Sequence, residues 1–313
     1  MKTIENLIVE LTTSCNLKCV HCGYNMMFPH QELDKELLAS VTHKLVKQGL
    51  QMVMLTGGEP TLYPDLIQVS RFFKQNQLRV KIATNGSNPA VIQSLLEEGA
   101  LDELVISVDA ALPATYEKVR GKNRLTKICR FVERNSQYAN RIRLSFLIQR
   151  SNYKEIIPFL YWCKSLEIAK ISLLVPHYNG DFSSLIELGS YRDKMFLSNE
   201  ERLEFQNTIV PQLKDFYSNN LGMFTCSQEH MDALIKYVCY PDASYSFRST
   251  ICSFPLKSLF LFSDGKASLC PYHPNWKVNL DSLLNDLKAF RMRCVLEGGE
   301  RASYCRRCLE VPL

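Results

Sequence analysis

DKELLASVTHKLVKQGLQMVMLTGGEP, residues Asp34 to Pro60, holds one complete unit of the fold. Leu37, Leu38, Val41 and Leu45 recur at three- and four-residue intervals, which puts them on one face of a helix over Asp34–Gln48, and Gly49 stops it. Met52–Leu55 is a short apolar run of strand length, and a glycine-bearing loop follows it. The same order recurs on both sides. Strands are expected at Leu7–Leu11, Val80–Ala83, Leu104–Val108, Ile142–Ile148 and Ile171–Val175. Another helix is expected over Pro89–Glu98, with Asn88 as N-cap and Gly99 just past its end. Alternating strands and helices predict an α/β protein whose parallel strands are covered by helices. Sites in such folds gather at the carboxyl ends of strands. Thr56–Pro60, Thr84–Gly86 and Asp109 stand at those ends.

After residue 176 the alternation fades. Ser198–Tyr217 is expected to form one long helix, kinked or interrupted at Pro211. Ser258–Phe262 and Lys266–Leu269, joined by Ser263-Asp264-Gly265, predict a β-hairpin, and Asp281–Phe290 a short helix.

The composition is that of a water-soluble enzyme: 313 residues, 46% hydrophobic and 22% charged. No apolar run reaches the ~18–20 residues a membrane span needs, and the N-terminus has no signal-peptide pattern. The expected compartment is the cytoplasm, without membrane contact. The net charge of +5 is spread along the chain, which argues against a nucleic-acid partner. The cysteines are more telling. There are twelve, and in a reducing compartment clustered cysteines point to metal or catalysis. Cys129, Cys163, Cys226, Cys239 and Cys294 are dispersed, and the other seven form two groups.

Cys15, Cys19 and Cys22 follow the first strand on one short loop. Three thiolates there would leave one iron of a 4Fe–4S cluster open to an outside ligand. A zinc site completed by His21, or unligated core cysteines, satisfies the spacing as well. The residues resemble the radical S-adenosylmethionine (SAM) superfamily. CNLKCVHC is similar to that family's cluster loop, with His21 before the last cysteine. Gly57-Gly58-Glu59-Pro60 resembles its GGEP motif, Thr84-Asn85-Gly86 its TNG motif, Ile106–Ala110 its fourth strand, and Arg120-Gly121 its downstream RG. Asn152 matches a common R-x-N pattern. The resemblance implies a partial (β/α)6 TIM-like barrel and SAM chelating the open iron. It implies that Gly57, Gly58, Glu59 and Pro60 hold the methionyl amino group, that Ser107 and Arg120 contact the SAM carboxylate, and that His21 and Asn85 complete the SAM site. On elementary grounds, glycines let the backbone approach a ligand, and Arg is a natural carboxylate partner.

Cys252 and Cys270 bracket the expected hairpin, and Cys305-x2-Cys308 lies near the end of the chain. Four such thiolates suit structural zinc or a fully ligated Fe–S cluster. The segment resembles the twitch half of the SPASM/twitch extension. That implies one auxiliary 4Fe–4S cluster on Cys252, Cys270, Cys305 and Cys308, with Cys294 as a substitute ligand in a variant of this reading. The expected organisation is residues 1–200 as the radical SAM barrel, 201–245 as a connecting helical segment and 246–313 as the twitch domain. Only fourteen residues precede Cys15, so a leader-peptide recognition domain before the loop is not expected.

By the family chemistry, a flavodoxin- or ferredoxin-type partner supplies an electron, and SAM opens to a 5′-deoxyadenosyl radical that removes a substrate hydrogen atom. The expected outcome is oxidation or epimerisation of a small, carbohydrate-like natural product. Maturation of a peptide or protein residue is the alternative, and a noncatalytic metal scaffold a third reading. Cys226 is a candidate hydrogen-atom donor over the barrel mouth, or a small buried hydrophobe. His177, Tyr178 and Asp181, after the sixth strand, are candidate substrate contacts or a solvated turn.

Overall fold

The computed structural model describes residues 4–22, 29–176, 193–240, 254–270 and 277–292. Six parallel strands build the first half: β1 (Asn6–Glu10), β2 (Met52–Thr56), β3 (Arg79–Thr84), β4 (Glu103–Ser107), β5 (Ile142–Leu147) and β6 (Lys170–Leu174). They lie side by side in chain order. The helices between them are α1 (Lys35–Val46), α2 (Leu66–Gln75), α3 (Pro89–Glu97), α4 (Pro113–Arg120), α5 (Leu125–Arg134) and α6 (Ile156–Ser165). All six expected strands are present, with ends shifted by a residue or so. Asp34 caps α1, its carboxylate accepting from Leu37 N at 2.7 Å. Asn88 stands at the N-cap of α3, but its side chain makes no capping hydrogen bond. Its amide instead donates to Thr61 O at 3.3 Å, tying the loop after β3 to the loop after β2.

The sheet has two unlike faces. Leu7, Val9, Val53, Leu55, Val80, Ile82, Leu104, Ile106, Leu144 and Phe146 share one core with helix residues such as Leu38, Leu45, Phe73, Leu95, Ile128 and Phe159. The alternate positions point the other way. Ile8, Met52 and Val105 are buried but stand outside that core, and beside them lie Glu10, Lys81, Glu103, Ser107, Arg143, Ser145 and Ser172. This second, polar face is the interior of the partial barrel.

The C-terminal hairpin forms as expected from β7 (Ser258–Leu261) and β8 (Lys266–Ser268), with Gly265 at φ +76° in the turn. It is not a sheet of its own. β7 pairs in parallel with β1, and β9 (Val278–Asn279) follows β8, so nine strands make one sheet. The boundary expected at residue 246 therefore does not interrupt the sheet. The physical reason is the edge: without β7, one side of β1 would expose a row of unpaired backbone groups. Side chains fasten the join, Asn6 Nδ2 donating to Ser258 Oγ at 3.3 Å and Ser263 Oγ to Glu10 Oε1 at 2.6 Å.

The long helix expected at Ser198–Tyr217 comes in three pieces: α7 (Asn199–Glu204), a π-helical turn (Phe205–Ile209) and α8 (Val210–Asn219). Pro211 has no N–H to donate and its ring crowds the preceding turn, so the ladder widens just before it. Ser198 and Glu201 close a capping box at the start. The following helix, α9, runs Gln228–Cys239.

Candidate active site

The cysteine loop leaves β1 in a narrow slot. Thr13 N donates to Gln31 O at 3.0 Å on one side; on the other, Gly58 N donates to Thr12 O at 2.7 Å and Glu59 N to Ser14 O at 2.8 Å. A Cβ on Gly57 would meet Thr12 O at 2.3 Å, and one on Gly58 would meet Ser14 O at 2.3 Å. Farther along, Val20 N donates to Val119 O at 2.9 Å, and a Cβ on Gly121 would meet Lys18 O at 2.8 Å. The glycines of both motifs thus admit the cysteine loop itself. The motif assigns Gly57 and Gly58 to a ligand; in the fold they, like Gly121, let one backbone lie against another.

Glu59 is fully buried. Its carboxylate accepts from Thr61 N at 3.0 Å, Thr61 Oγ1 at 2.6 Å, Thr84 Oγ1 at 2.6 Å and Asn85 N at 2.7 Å. It locks the loop after β2 to the loop after β3. Pro60 opens the single 3-10 turn Pro60–Leu62 that Glu59 caps. Asn85 then reaches the cysteine loop, its amide donating to Asn16 Oδ1 at 2.9 Å and lying 3.8 Å from Cys15 Sγ.

Arg120 ends α4 and is buried. One nitrogen, Nη2, pairs with Asp109 Oδ2; the other, Nη1, donates to Cys19 Sγ at 3.6 Å. Burial opposes the guanidinium charge, but Asp109 and Cys19 outweigh it and hold its pKa above the ordinary value. Asp109 follows β4 in a left-handed conformation, φ +59°, uncommon for a non-glycine residue. Its Oδ1 accepts from Leu147 N at 2.7 Å, and Asn152 Nδ2 donates to its carbonyl at 2.8 Å, so the common R-x-N residue here holds the Asp109 turn. His21 Nε2 lies 4.0 Å from Asp109 Oδ2. Burial, reinforced by Arg120, lowers the imidazole pKa to about 4, so His21 is neutral at pH 7. Burial raises the Cys15 and Cys19 thiols, and metal binding would have to remove those protons.

Among the described residues, no three His, Cys, Asp or Glu side chains converge as one metal ion requires. A four-iron cluster is larger than a single ion and takes thiolates spread along a loop. The surroundings fit such a cluster with an added ligand. Three thiols share the loop, N–H groups approach two of their sulfurs, and His21 Nδ1, Tyr116 Oη and Arg120 Nε are buried nearby without protein partners. Buried polar atoms left so are costly unless a ligand completes them.

Ser107 stands on the interior face, level with Ser145 on β5 and Ser172 on β6. Ser145 Oγ donates to Ser107 Oγ at 3.4 Å, and Ser172 Oγ is 3.0 Å from Thr225 Oγ1. This hydroxyl row was missed in the sequence, as were the ion pairs of Glu103 with Lys81 and Arg143 near the strands' amino ends. A signal existed: the polar residues of ELVIS and IRLSFL, Glu103 and Ser107, Arg143 and Ser145, all fall on one of the two alternating faces. Gln149, just past β5, is also buried with both amide ends unpartnered.

Thr225 N donates to Ile171 O at 3.1 Å and Phe224 bridges Ile171 in parallel, so the segment leading to Cys226 runs beside β6. The Cys226 side chain packs against the main core, and burial pushes its thiol up to about 11. Cys163 is buried in α6 and Cys129 half-buried on α5, both as expected of helix core. Cys270 follows β8, where Ser268 Oγ donates to its carbonyl at 2.7 Å. Cys252, Cys294, Cys305 and Cys308, and the candidate substrate contacts His177, Tyr178 and Asp181, lie outside the described residues. A cavity of about 850 Å³ opens among α4, α5, α6 and α7, away from the cysteine loop. Among the described residues, no helix is long and apolar enough to cross a membrane.

Comparison with known proteins agrees with this geometry. Residues 9–160 match the model of the radical SAM superfamily. A probable GTP 3',8-cyclase of Sulfolobus acidocaldarius is 30% identical over 186 residues, 56% of this chain and 57% of the relative. An AdoMet-dependent heme synthase of Methanosarcina barkeri is 26% identical over 219 residues, 64% of this chain and 61% of the relative. The chain thus spans about half to two thirds of the curated relatives it matches. Among solved structures, Streptococcus suis SuiB bound to precursor peptide SuiA aligns at TM-score 0.69 and 14% identity, covering 98% of this chain and 71% of SuiB. Native anSMEcpe with bound AdoMet and the Kp18Cys peptide aligns at TM-score 0.64 and 17% identity, covering 96% and 83%. At such identities the likeness is one of fold.

Proposed function

We propose, from the match of residues 9–160 to the radical SAM superfamily model, that the chain opens SAM reductively and removes a hydrogen atom from a small polar substrate held inside the barrel. The observation that carries the reading is the clamped three-thiol loop, gripped by Gly57–Glu59 on one side and Arg120–Gly121 on the other. Cys15, Cys19 and Cys22 would hold a 4Fe–4S cluster, which would supply the one-electron chemistry for opening the SAM sulfonium. In this reading the protein orients and excludes water. Backbone groups of Gly57, Gly58 and Pro60, with Glu59, His21, Asn85, Ser107 and Arg120, would hold the SAM molecule. A flavodoxin- or ferredoxin-type protein delivers the electron.

Two features favour a small polar substrate. The Ser107, Ser145 and Ser172 hydroxyls form a row on the interior face. The relatives named as a GTP cyclase and a heme synthase carry the names of small-molecule enzymes. Oxidation is favoured over epimerisation, because the Cys226 side chain packs against the core. Cys252, Cys270, Cys305 and Cys308 would hold the auxiliary cluster that takes up the electron left on the substrate. Peptide maturation is the second reading, on the strength of a fold shared with SuiB over 98% of this chain.

The test is anaerobic reconstitution followed by iron and sulfide analysis and SAM turnover. About eight iron atoms per chain, four for each cluster, are expected, with 5′-deoxyadenosine formed under reducing conditions. About four would remove the auxiliary cluster, and intact SAM beside a loaded cluster would remove the activity. Deuterium passing from a labelled small molecule, or instead from a peptide, into 5′-deoxyadenosine separates the two substrate readings.

A further inference from the structure

Two side chains that the motifs assign to SAM also reach the cysteine sulfurs. Asn85 Nδ2 is 3.8 Å from Cys15 Sγ, and Arg120 Nη1 is 3.6 Å from Cys19 Sγ. Arg120 is not free to swing away. Its second nitrogen is paired with Asp109, a buried carboxylate fixed by Leu147 N and by a backbone turn that Asn152 holds. Asp109, Arg120 and Cys19 form a chain of charge, countercharge and sulfur whose two charged members are buried.

We infer that Arg120 and Asp109 are a matched pair of positioning residues that set the reduction potential of the cluster held by Cys15, Cys19 and Cys22, with Asn85 adding a second N–H···S contact. The inference rests on the cluster reading above. Its physics is simple. Reduction adds negative charge, and hydrogen bonds to the sulfurs and nearby positive charge favour the reduced form. Arg120 raises the potential through both. Asp109 is an anion against that guanidinium and cancels part of its charge. Removing each partner should therefore move the potential in opposite directions, which a purely packing role does not require.

The experiment is a potentiometric titration of the full-length holoprotein, followed by electron paramagnetic resonance on the signal that changes when SAM is added. At a fixed ambient potential, Arg120→Gln should lower the reduced-to-oxidised ratio about tenfold, or about 59 mV for one electron. Arg120→Lys should fall between Arg120→Gln and wild type, keeping charge but losing the planar fork. Asp109→Asn keeps an acceptor for Leu147 N and should raise the ratio. Asn85→Ala should lower it by less than Arg120→Gln does. Shifts of the same sign in Arg120→Gln and Asp109→Asn, or unchanged midpoints in fully loaded variants, would overturn the inference. If Arg120→Gln cannot hold iron, the sign of the Asp109→Asn shift decides: a rise supports the pair, and a fall or no change ends it. A wild-type chain that binds no cluster defeats the functional reading instead, a separate outcome visible in the iron analysis.

Discussion

A β-carbon on Gly58 would stand 2.3 Å from the carbonyl oxygen of Ser14. Two loops that a barrel could have kept apart are thereby pressed into backbone contact, and the cysteine loop has one place to go. Gly58→Ala must push Ser14 away, which should cost about 1–3 kcal/mol as overpacking does. It should also reduce iron loading, because the displaced segment leads directly into Cys15. Gly222 is the control. An added Cβ there meets nothing within 4 Å and its φ is not positive, so Gly222→Ala should be neutral or slightly stabilising. Thermal melting and iron content of the two variants check the contrast; equal behaviour would refute the contact argument.

Glu59 offers a second test. Four protein donors reach its carboxylate. Glu59→Gln swaps one acceptor oxygen for an NH2 group that must face a donor. Losing a hydrogen bond to a charged group while leaving a buried donor unpaired should cost about 2–4 kcal/mol. Urea denaturation of the metal-free protein measures this apart from SAM binding. A midpoint unchanged from wild type would mean that Glu59 serves the ligand alone.

Glu103 lies between two cations inside the barrel, Lys81 Nζ at 3.2 Å and the Arg143 guanidinium. Burial lowers the Lys81 pKa, while Glu103 opposes that shift. Glu103→Ala leaves two like charges together with no partner, which should destabilise the fold by about 3–5 kcal/mol. Glu103→Ala with Lys81→Met removes one of them and should recover part of the loss. Because the group sits away from solvent, 1 M salt should change the wild-type melting temperature little through these pairs. A double variant no more stable than the single would show that the two charges are uncoupled.

The fold was legible because α1 and β2 carry opposite periodicities in adjacent stretches, and the unit repeats. Cys15, Cys19, Cys22 and the GGEP, TNG and RG residues were legible as a group because they fall at strand ends in order. What remained hidden was the partner of each residue. Sequence shows that Gly57 and Gly58 admit a close approach; only three-dimensional packing shows that Thr12 and Ser14 approach. Asp109 was noticed at its strand end but given no role, since its importance lies in contacts with Leu147, 38 positions away, and with Arg120. Cys226 was left between two readings for a similar reason. Position after a helix says nothing about whether the segment ends over the mouth or along β6. The join of β7 to β1 spans some 250 residues and leaves no local pattern in either strand.

Cys226 makes that last point measurable. Burial lifts its thiol from an ordinary 9 to about 11, so the folded state disfavours the thiolate. A group whose pKa is raised on folding contributes stability in full below its unfolded value and loses it as pH climbs through the folded one. For Cys226 the window is pH 9 to 11. The same shift governs reactivity, because the thiolate is the nucleophile. At pH 8 the folded protein should hold about a hundredfold less Cys226 thiolate than a free cysteine would. Alkylation of the native, anaerobic protein by iodoacetamide, read peptide by peptide in a mass spectrometer, should therefore be slow at pH 8 and accelerate toward pH 11. Labelling at the rate of a free thiol at pH 8 would place Cys226 in an open, wet site, and the case for a hydrogen-atom donor at the barrel mouth would return with it.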